Sequence, residues 1–189
     1  MYSSSDILSA IERGSITISD FDESRLGPNS YDLLLGKFFF DVIWDEDGPW
    51  FVGPSEYGPQ DRVNVPVGGT LLAMTEDVIG TFGKVTGKLY ARSTWGRAGI
   101  TVCRDAGLGD IGYCNHWTLE MTGHVTSGQP FVTVGERIAQ ITFLETIRPP
   151  IKAYLGQYNA DDWPLCMVPK MWRHRILDTF SQNTQHEIS

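Results

Sequence analysis

ARSTWGRAGITVCRDAGLGDIGYCNHWTLEM, residues 91–121, sets arginines, a Ser-Thr pair, glycines and carboxylates between short apolar alternations. A strand that only had to be buried would not need this mixture. Within NHWTLEM the two-residue period of an extended chain puts His116, Thr118 and Glu120 on one face and Trp117, Leu119 and Met121 on the other. Glu120 therefore points where the apolar residues do not, either into solvent or into a partly closed pocket. In a pocket, burial would raise its pKa and suit it to general-base work near neutral pH.

The start of the stretch supplies the opposite charge. Arg92, the Ser93 and Thr94 hydroxyls and the backbone N–H groups that follow suit phosphate oxygens, because a guanidinium presents its donors as a fork. The same residues also make an ordinary surface turn, and their spacing alone does not decide between the two.

Outward from this stretch, short apolar runs recur between Gly, Pro, Asn and Asp: NSYDLLLG, RVNVPVGGTLLAMT, GKLYARS and ERIAQITFLE. That spacing predicts an all-β barrel or sandwich. One helix is predicted, over SSSDILSAIER (residues 3–13), with serine at the N-cap, Asp6 near it, Ile7, Leu8 and Ile11 at helical spacing, and Gly14 as the stop. DEDGPWFVGPSEYGPQDR, residues 45–62, reads as a surface loop or irregular hairpin. After IRPP the character changes again, and residues 151–189 read as a lid, a short helix and a frayed polar end.

The 189 residues are enough for one domain, since a chain of this length buries roughly 70% of the surface its unfolded form exposes. Net charge is −8 and no Lys/Arg-rich run interrupts the acidic balance, so a nucleic-acid partner is not expected. The apolar clusters are too short for a membrane span and no leader segment is legible, which points to the cytoplasm. Cys103, Cys114 and Cys166 stand at unrelated spacings and are expected as free thiols. His116, His124, His174 and His186 are expected in structural or surface roles, and Trp163 and Trp172 to pack the tail against a neighbouring subunit.

The order R-S-T-x-x-R-x-G, D-A-G, D-x-G-Y and L-E resembles the signature of the dCTP deaminase family, in the dUTPase-like superfamily. The resemblance extends to the N-terminal helix, to Pro28, Ser30, Asp32, Leu35 and Gly36 of a P-x-S-x-D-x-x-L-G strand, and to TLLAMTEDV and GERIAQITFLE, covering about residues 5–157 in the family's order. It implies a mainly β, dUTPase-like distorted barrel or jelly roll with a short N-terminal helix. Residues 1–157 would be the deaminase domain and residues 158–189 its tail or lid.

By resemblance, Arg92, Ser93 and Thr94 hold a triphosphate, Arg97 lies beside the pyrimidine, and Glu120 is the general acid and base. Asp110 takes the sugar 3′-hydroxyl, Tyr113 lies under deoxyribose and leaves no room for a 2′-hydroxyl, and the Ala106 carbonyl and Ser93 hold the attacking water. Tyr154 and Gln157 belong to a lid motif whose lysine is here Ala153. The implied reaction is hydrolysis of dCTP to dUTP and ammonia by a homotrimer with sites between subunits. Mg²⁺ would ride on the phosphates and zinc would have no part; the H-x-E and P-C-x-x-C signature of the zinc deaminases is absent from the sequence. dTTP is implied as a feedback inhibitor.

The departures keep alternatives open. Residues 105–110, DAGLGD, are closer to the TAG loop of bifunctional relatives that go on to dUMP and pyrophosphate. Asp105 stands where threonine is usual and is expected to act on Glu120 by like-charge repulsion. The altered lid and Asp105 also fit a non-catalytic nucleotide-binding regulator, and a modified cytosine is a further candidate substrate. A pure dUTPase fits less well, because its glycine-rich C-terminal motif is missing and the Arg97 and Glu120 pair is present.

Overall fold

The computed structural model describes residues 1–159 and 161–178. The expected frayed end, with His186, lies outside them. The described residues hold thirteen strands: β1 (Ile16–Ile18), β2 (Tyr31–Leu34), β3 (Phe38–Asp45), β4 (Gly48–Glu56), β5 (Arg62–Asn64), β6 (Thr70–Thr81), β7 (Val85–Ala91), β8 (Ile100–Thr101), β9 (Leu108–Gly109), β10 (Cys114–Gly123), β11 (Phe131–Thr133), β12 (Arg137–Glu145) and β13 (Ile176–Leu177). Helices α1 (Ser4–Glu12) and α2 (Ser93–Arg97) accompany them.

The strands form a larger sheet in the order β13-β4-β3-β6-β10-β8, with β1 also on β6, a second sheet in the order β2-β12-β7-β9, and the small pair β11-β5. The mainly β reading is borne out, and among the described residues the sheets are open rather than closed into a barrel. The two principal sheets bury a common core that includes Leu71, Ala73, Leu119 and Met121 from one side and Leu33, Ile141 and Phe143 from the other.

Helix α1 follows its sequence signals. Ser3 accepts from the Asp6 amide while the Asp6 carboxylate accepts from the Ser3 amide, a reciprocal capping box, and Ile7 and Ala10 are fully buried. Of the two readings of residues 45–62, the irregular hairpin is the one the fold takes up to Glu56: β3 continues through a tight turn into β4, with Val42 paired to Phe51, Trp44 to Pro49 and a register shift between Phe39 and Asp41.

Beneath that hairpin lies a second apolar cluster of Phe40, Phe51, Leu72, Met74, Met167 and Val168. It occupies the outer face of the larger sheet, which the C-terminal segment covers with short 3-10 turns at Gln157–Asn159, Leu165–Met167 and Lys170–Arg175, followed by β13. Trp163 and Trp172 pack there on the chain's own sheet, where a neighbouring subunit had been expected. Polar contacts fasten the cover. The Cys114 amide donates to Asn159 Oδ1 at 2.9 Å, Asn159 Nδ2 donates to the Gly112 carbonyl at 2.9 Å, and Asn115 Nδ2 donates to the Tyr158 carbonyl at 3.0 Å. Arg175 lies over the Trp50 ring, 4.5 Å from its centroid, and bonds Asp45 at 3.1 Å. All three cysteines are free. Among the described residues no helix is long and apolar enough to cross a membrane.

A buried ion pair ties the turn before β2 to β6. Arg25 donates from both terminal nitrogens to the Asp77 carboxylate at 2.8 Å each, with the side chains 5% and 3% exposed. Removing one partner of such a pair strands the other charge away from water, at a cost of about 3–5 kcal/mol. Arg25→Met is therefore expected to lower stability by that amount in urea denaturation at unchanged slope. A loss below about 1 kcal/mol would contradict the role given to the pair.

Candidate active site

A cavity of about 530 Å³ opens between the outer face of the larger sheet, the segment from Ala106 to Tyr113 and the C-terminal cover. This is within the roughly 300–1,000 Å³ of small-molecule pockets. Of the sequence candidates, Ala106, Asp110, Tyr113, Glu120 and Tyr154 line it. These five come from β10, the segment that precedes it and the residues leading into the cover.

Close approach explains two of the glycines here. A Cβ on Gly109 would lie 2.3 Å from the Trp117 ring, and Gly112 takes a φ of +100° beside Ala153 and Tyr154. The tight turn between β9 and β10 thus brings Asp110 and Tyr113 to the cavity. Tyr113 meets Trp117 and Tyr154 edge to face, with centroids 5.6 and 5.9 Å apart, and donates its hydroxyl to the His116 carbonyl. Burial pushes its pKa well above the ordinary tyrosine value, so it remains a neutral phenol.

Glu120 is placed as the two-residue period predicts: it alternates with buried Leu119 and Met121 and sits opposite Leu72 of β6. Its Oε2 is buried without a hydrogen-bond partner. Burial is the largest influence on the carboxyl and raises its pKa above the ordinary glutamate value; the Arg104 and Glu120 backbone amides, the Cys103 thiol and the Arg104 charge act in the opposite direction. Burial is the cause expected for a pocket-facing Glu120, whereas Asp105, expected to act on it by like-charge repulsion, is exposed and is not among the main influences on it. Cys103, beside Glu120, has its thiol pushed up to about 11, first by burial and then by the Glu120 charge, so it stays protonated. Sequence reasoning missed Cys103 and Arg104 at this site, since their approach to Glu120 crosses from one segment to another.

The other candidates do not join this group within the chain. Arg92, Ser93, Thr94 and Arg97 do not line the cavity. Ser93, Thr94 and Arg97 are exposed on α2, and Arg92 just before it pairs with Asp32 at 3.0 Å. Trp95 Nε1 donates to the Arg137 carbonyl at 3.0 Å and anchors α2 to the second sheet. Gln157 accepts from the Lys170 amide at 2.8 Å and braces the cover instead of lining the cavity. His116 packs edge to face on Trp163 with its Nδ1 2.9 Å from the Thr75 carbonyl, a structural role as expected, and His124 and His174 are exposed. Among the described residues, no three His, Cys, Asp or Glu side chains are grouped to hold a metal ion.

The model of the dCTP deaminase-like family matches residues 1–146. A dCTP deaminase, dUMP-forming, from Beutenbergia cavernae is 28% identical over 162 residues, which cover 82% of this chain and 84% of that protein. A dCTP deaminase from Aeropyrum pernix is 29% identical over 162 residues, covering 82% and 88%. Among solved structures, the crystal structure of 2′-deoxycytidine 5′-triphosphate deaminase from Agrobacterium tumefaciens matches with a TM-score of 0.58 at 16% identity, over 75% of this chain and 46% of that one. At that identity the likeness is one of fold.

The raised pKa of Glu120 has a consequence for stability. In the window between its unfolded and folded values the folded chain binds more protons, so stability falls as pH rises through that window. Glu120→Gln removes the carboxylate that must be buried. Its melting temperature is expected to exceed the parent's at pH 8, by about 2–4 °C for each kcal/mol relieved, with the gain gone at pH 4. A variant less stable than the parent at pH 8 would contradict the burial argument.

Proposed function

Since the chain belongs to the dCTP deaminase-like family, we propose that it is a hydrolase that replaces the 4-amino group of 2′-deoxycytidine triphosphate with oxygen and releases ammonia. The observation that carries this reading is the half-buried Glu120, with an unpartnered Oε2, in one cavity with Asp110 and Tyr113. In it, Asp110 takes the sugar 3′-hydroxyl and the Tyr113 ring lies beneath the deoxyribose. These contacts set C4 of the base near Glu120.

A carboxylate with a raised pKa is a stronger base than one in water. Glu120 takes a proton from a water held against the Ala106 carbonyl, and the hydroxide attacks C4. The C4–O bond forms, the C4–N bond breaks, and the two water protons end on N3 and on the departing ammonia. Arg92, Ser93 and Thr94 bind the triphosphate, Ser93 also touches the water, and Arg97 lies beside the base. Mg²⁺ arrives with the phosphates as part of the substrate and neutralises their charge.

In a single chain the α2 residues lie outside the cavity, so this reading requires a second copy to present its α2 to it. A homotrimer with its sites between protomers is the assembly we assign, and dTTP, with the same sugar and phosphates, is a competing ligand. Gln157 is given a role only when the cover moves, because its side chain is engaged with Lys170. A second reading has the same enzyme cleave the triphosphate to leave dUMP and pyrophosphate. It is favoured by the D-A-G loop at residues 105–107 and by relatives named dUMP-forming.

Incubation of the chelator-treated protein with dCTP and Mg²⁺, followed by chromatography, is expected to show ammonia with dUTP, or with dUMP and pyrophosphate in the second reading. Unchanged dCTP would overturn both for the unmodified base. Glu120→Gln is expected to abolish turnover while leaving nucleotide affinity within about tenfold, or about 1.4 kcal/mol. Substantial residual turnover would remove Glu120 from the mechanism. Arg92→Ala is expected chiefly to weaken triphosphate binding, and unchanged affinity would contradict that contact.

A further inference from the structure

The cavity does not end at Glu120. Across the larger sheet, Glu120 on β10 pairs with Leu72 on β6, and Thr70 of β6 pairs with Val42 of β3, which in turn pairs with Phe51 of β4. Residues paired in this way share a face. The floor therefore continues from the carboxyl over Leu72 to Val42 and Phe51, while Met167 and Trp172 of the C-terminal cover form the opposite wall. The polar groups that border the cavity near Glu120 are the Thr70 and Thr118 hydroxyls and the Tyr158 phenol, while Val42, Phe51, Leu72, Met167 and Trp172 give hydrocarbon and aromatic wall. This annexe exists because the cover folds back on the hairpin, and neither element belongs to the residues that hold the sugar or the reacting carbon.

The chemistry of a pyrimidine decides which edge can face it. N1 carries the sugar, at Asp110 and Tyr113, and C4 lies across the ring at Glu120. Of the two remaining edges, one carries O2 and N3 and needs hydrogen bonds. An apolar wall offers none, and burying those atoms without partners is costly. The polar edge must turn to the segment around Ala106 and Gly109, with its backbone groups, and the C5–C6 edge then turns to Leu72, Val42 and Trp172. A hydrogen at C5 would leave much of that wall against water.

Resting on the deaminase reading above, we infer that the annexe takes an alkyl group on C5 of the cytosine, so that the preferred substrate is a 5-alkyl 2′-deoxycytidine triphosphate. Burial of the added carbon against Leu72, Phe51 and Met167 supplies the preference. The reaction at C4 is unchanged, because the substituent lies beside the reacting carbon and not between it and Glu120.

The test is ammonia release by the full chain with Mg²⁺ and, in parallel, dCTP, 5-methyl-dCTP and 5-propynyl-dCTP. The expected result is a kcat/KM for 5-methyl-dCTP about tenfold above that for dCTP, in line with what one added methyl group is worth in an apolar pocket. Val42→Phe, which fills the annexe from its floor, is expected to bring that ratio down to one or below. A wild-type ratio at or below one, with dCTP turned over, would overturn the annexe and leave the deaminase reading standing. An unchanged ratio in a folded Val42→Phe protein would also overturn it. If Val42→Phe does not fold, the wild-type ratio alone decides. No ammonia from any of the three nucleotides would remove the deaminase reading, and this inference with it.

Discussion

Glu120 faces the cavity because β10 pairs with β6 in a register that sets it opposite Leu72, with Leu119 and Met121 turned to the core. Side chains on a strand alternate, so a slip of one residue would drive the carboxyl into the core and put leucine and methionine at the site. The apolar residues of β10 and β6 therefore hold the carboxyl in place by the same burial that stabilises the fold. β6 also pairs with β3 through Leu71 and Leu72, and with β1 through Ile79, Gly80 and Thr81, which leaves it little freedom to slide.

The site's electrostatics follow from that placement. The cover laid over Phe40, Leu72 and Met74 closes the outer face of the sheet, and Glu120 at its border loses water from one oxygen without gaining a partner. The cover is thus a stabilising apolar layer and, with the segment that brings Cys103 and Arg104 to the carboxyl, sets Glu120 apart from a glutamate on an open strand. Asn159 and Asn115 join it to β10, so the wall of the cavity and the strand that carries Glu120 are one connected unit.

Much of this could be read in the residues. The capping box at Ser3 and Asp6, the face of Glu120 and the mainly β layout all rest on local patterns that a sequence displays directly. The cover could not be read, because short 3-10 turns between Trp163 and Arg175 carry no periodicity and their partners lie far off in sequence, Asn115 being 48 positions from Trp163 and Asp45 being 130 from Arg175. The tryptophans were legible as packing residues, but the surface they pack on was not. The contacts of Cys103 and Arg104 with Glu120 were missed for the same reason. The separation of Arg92 and α2 from Glu120 is a further case: the two lie 28 positions apart in one continuous motif, yet the fold directs them to different places, with Arg92 on Asp32.

The most direct test is titration of Glu120 itself in the folded protein, by carbon-13 NMR of its side-chain carboxyl with Glu120→Gln to assign the signal. The account predicts a midpoint clearly above the ordinary glutamate value of about 4.3. A midpoint at or below that value would mean that the carboxyl is well solvated or well partnered, and would contradict the claim that its burial prepares it for proton transfer.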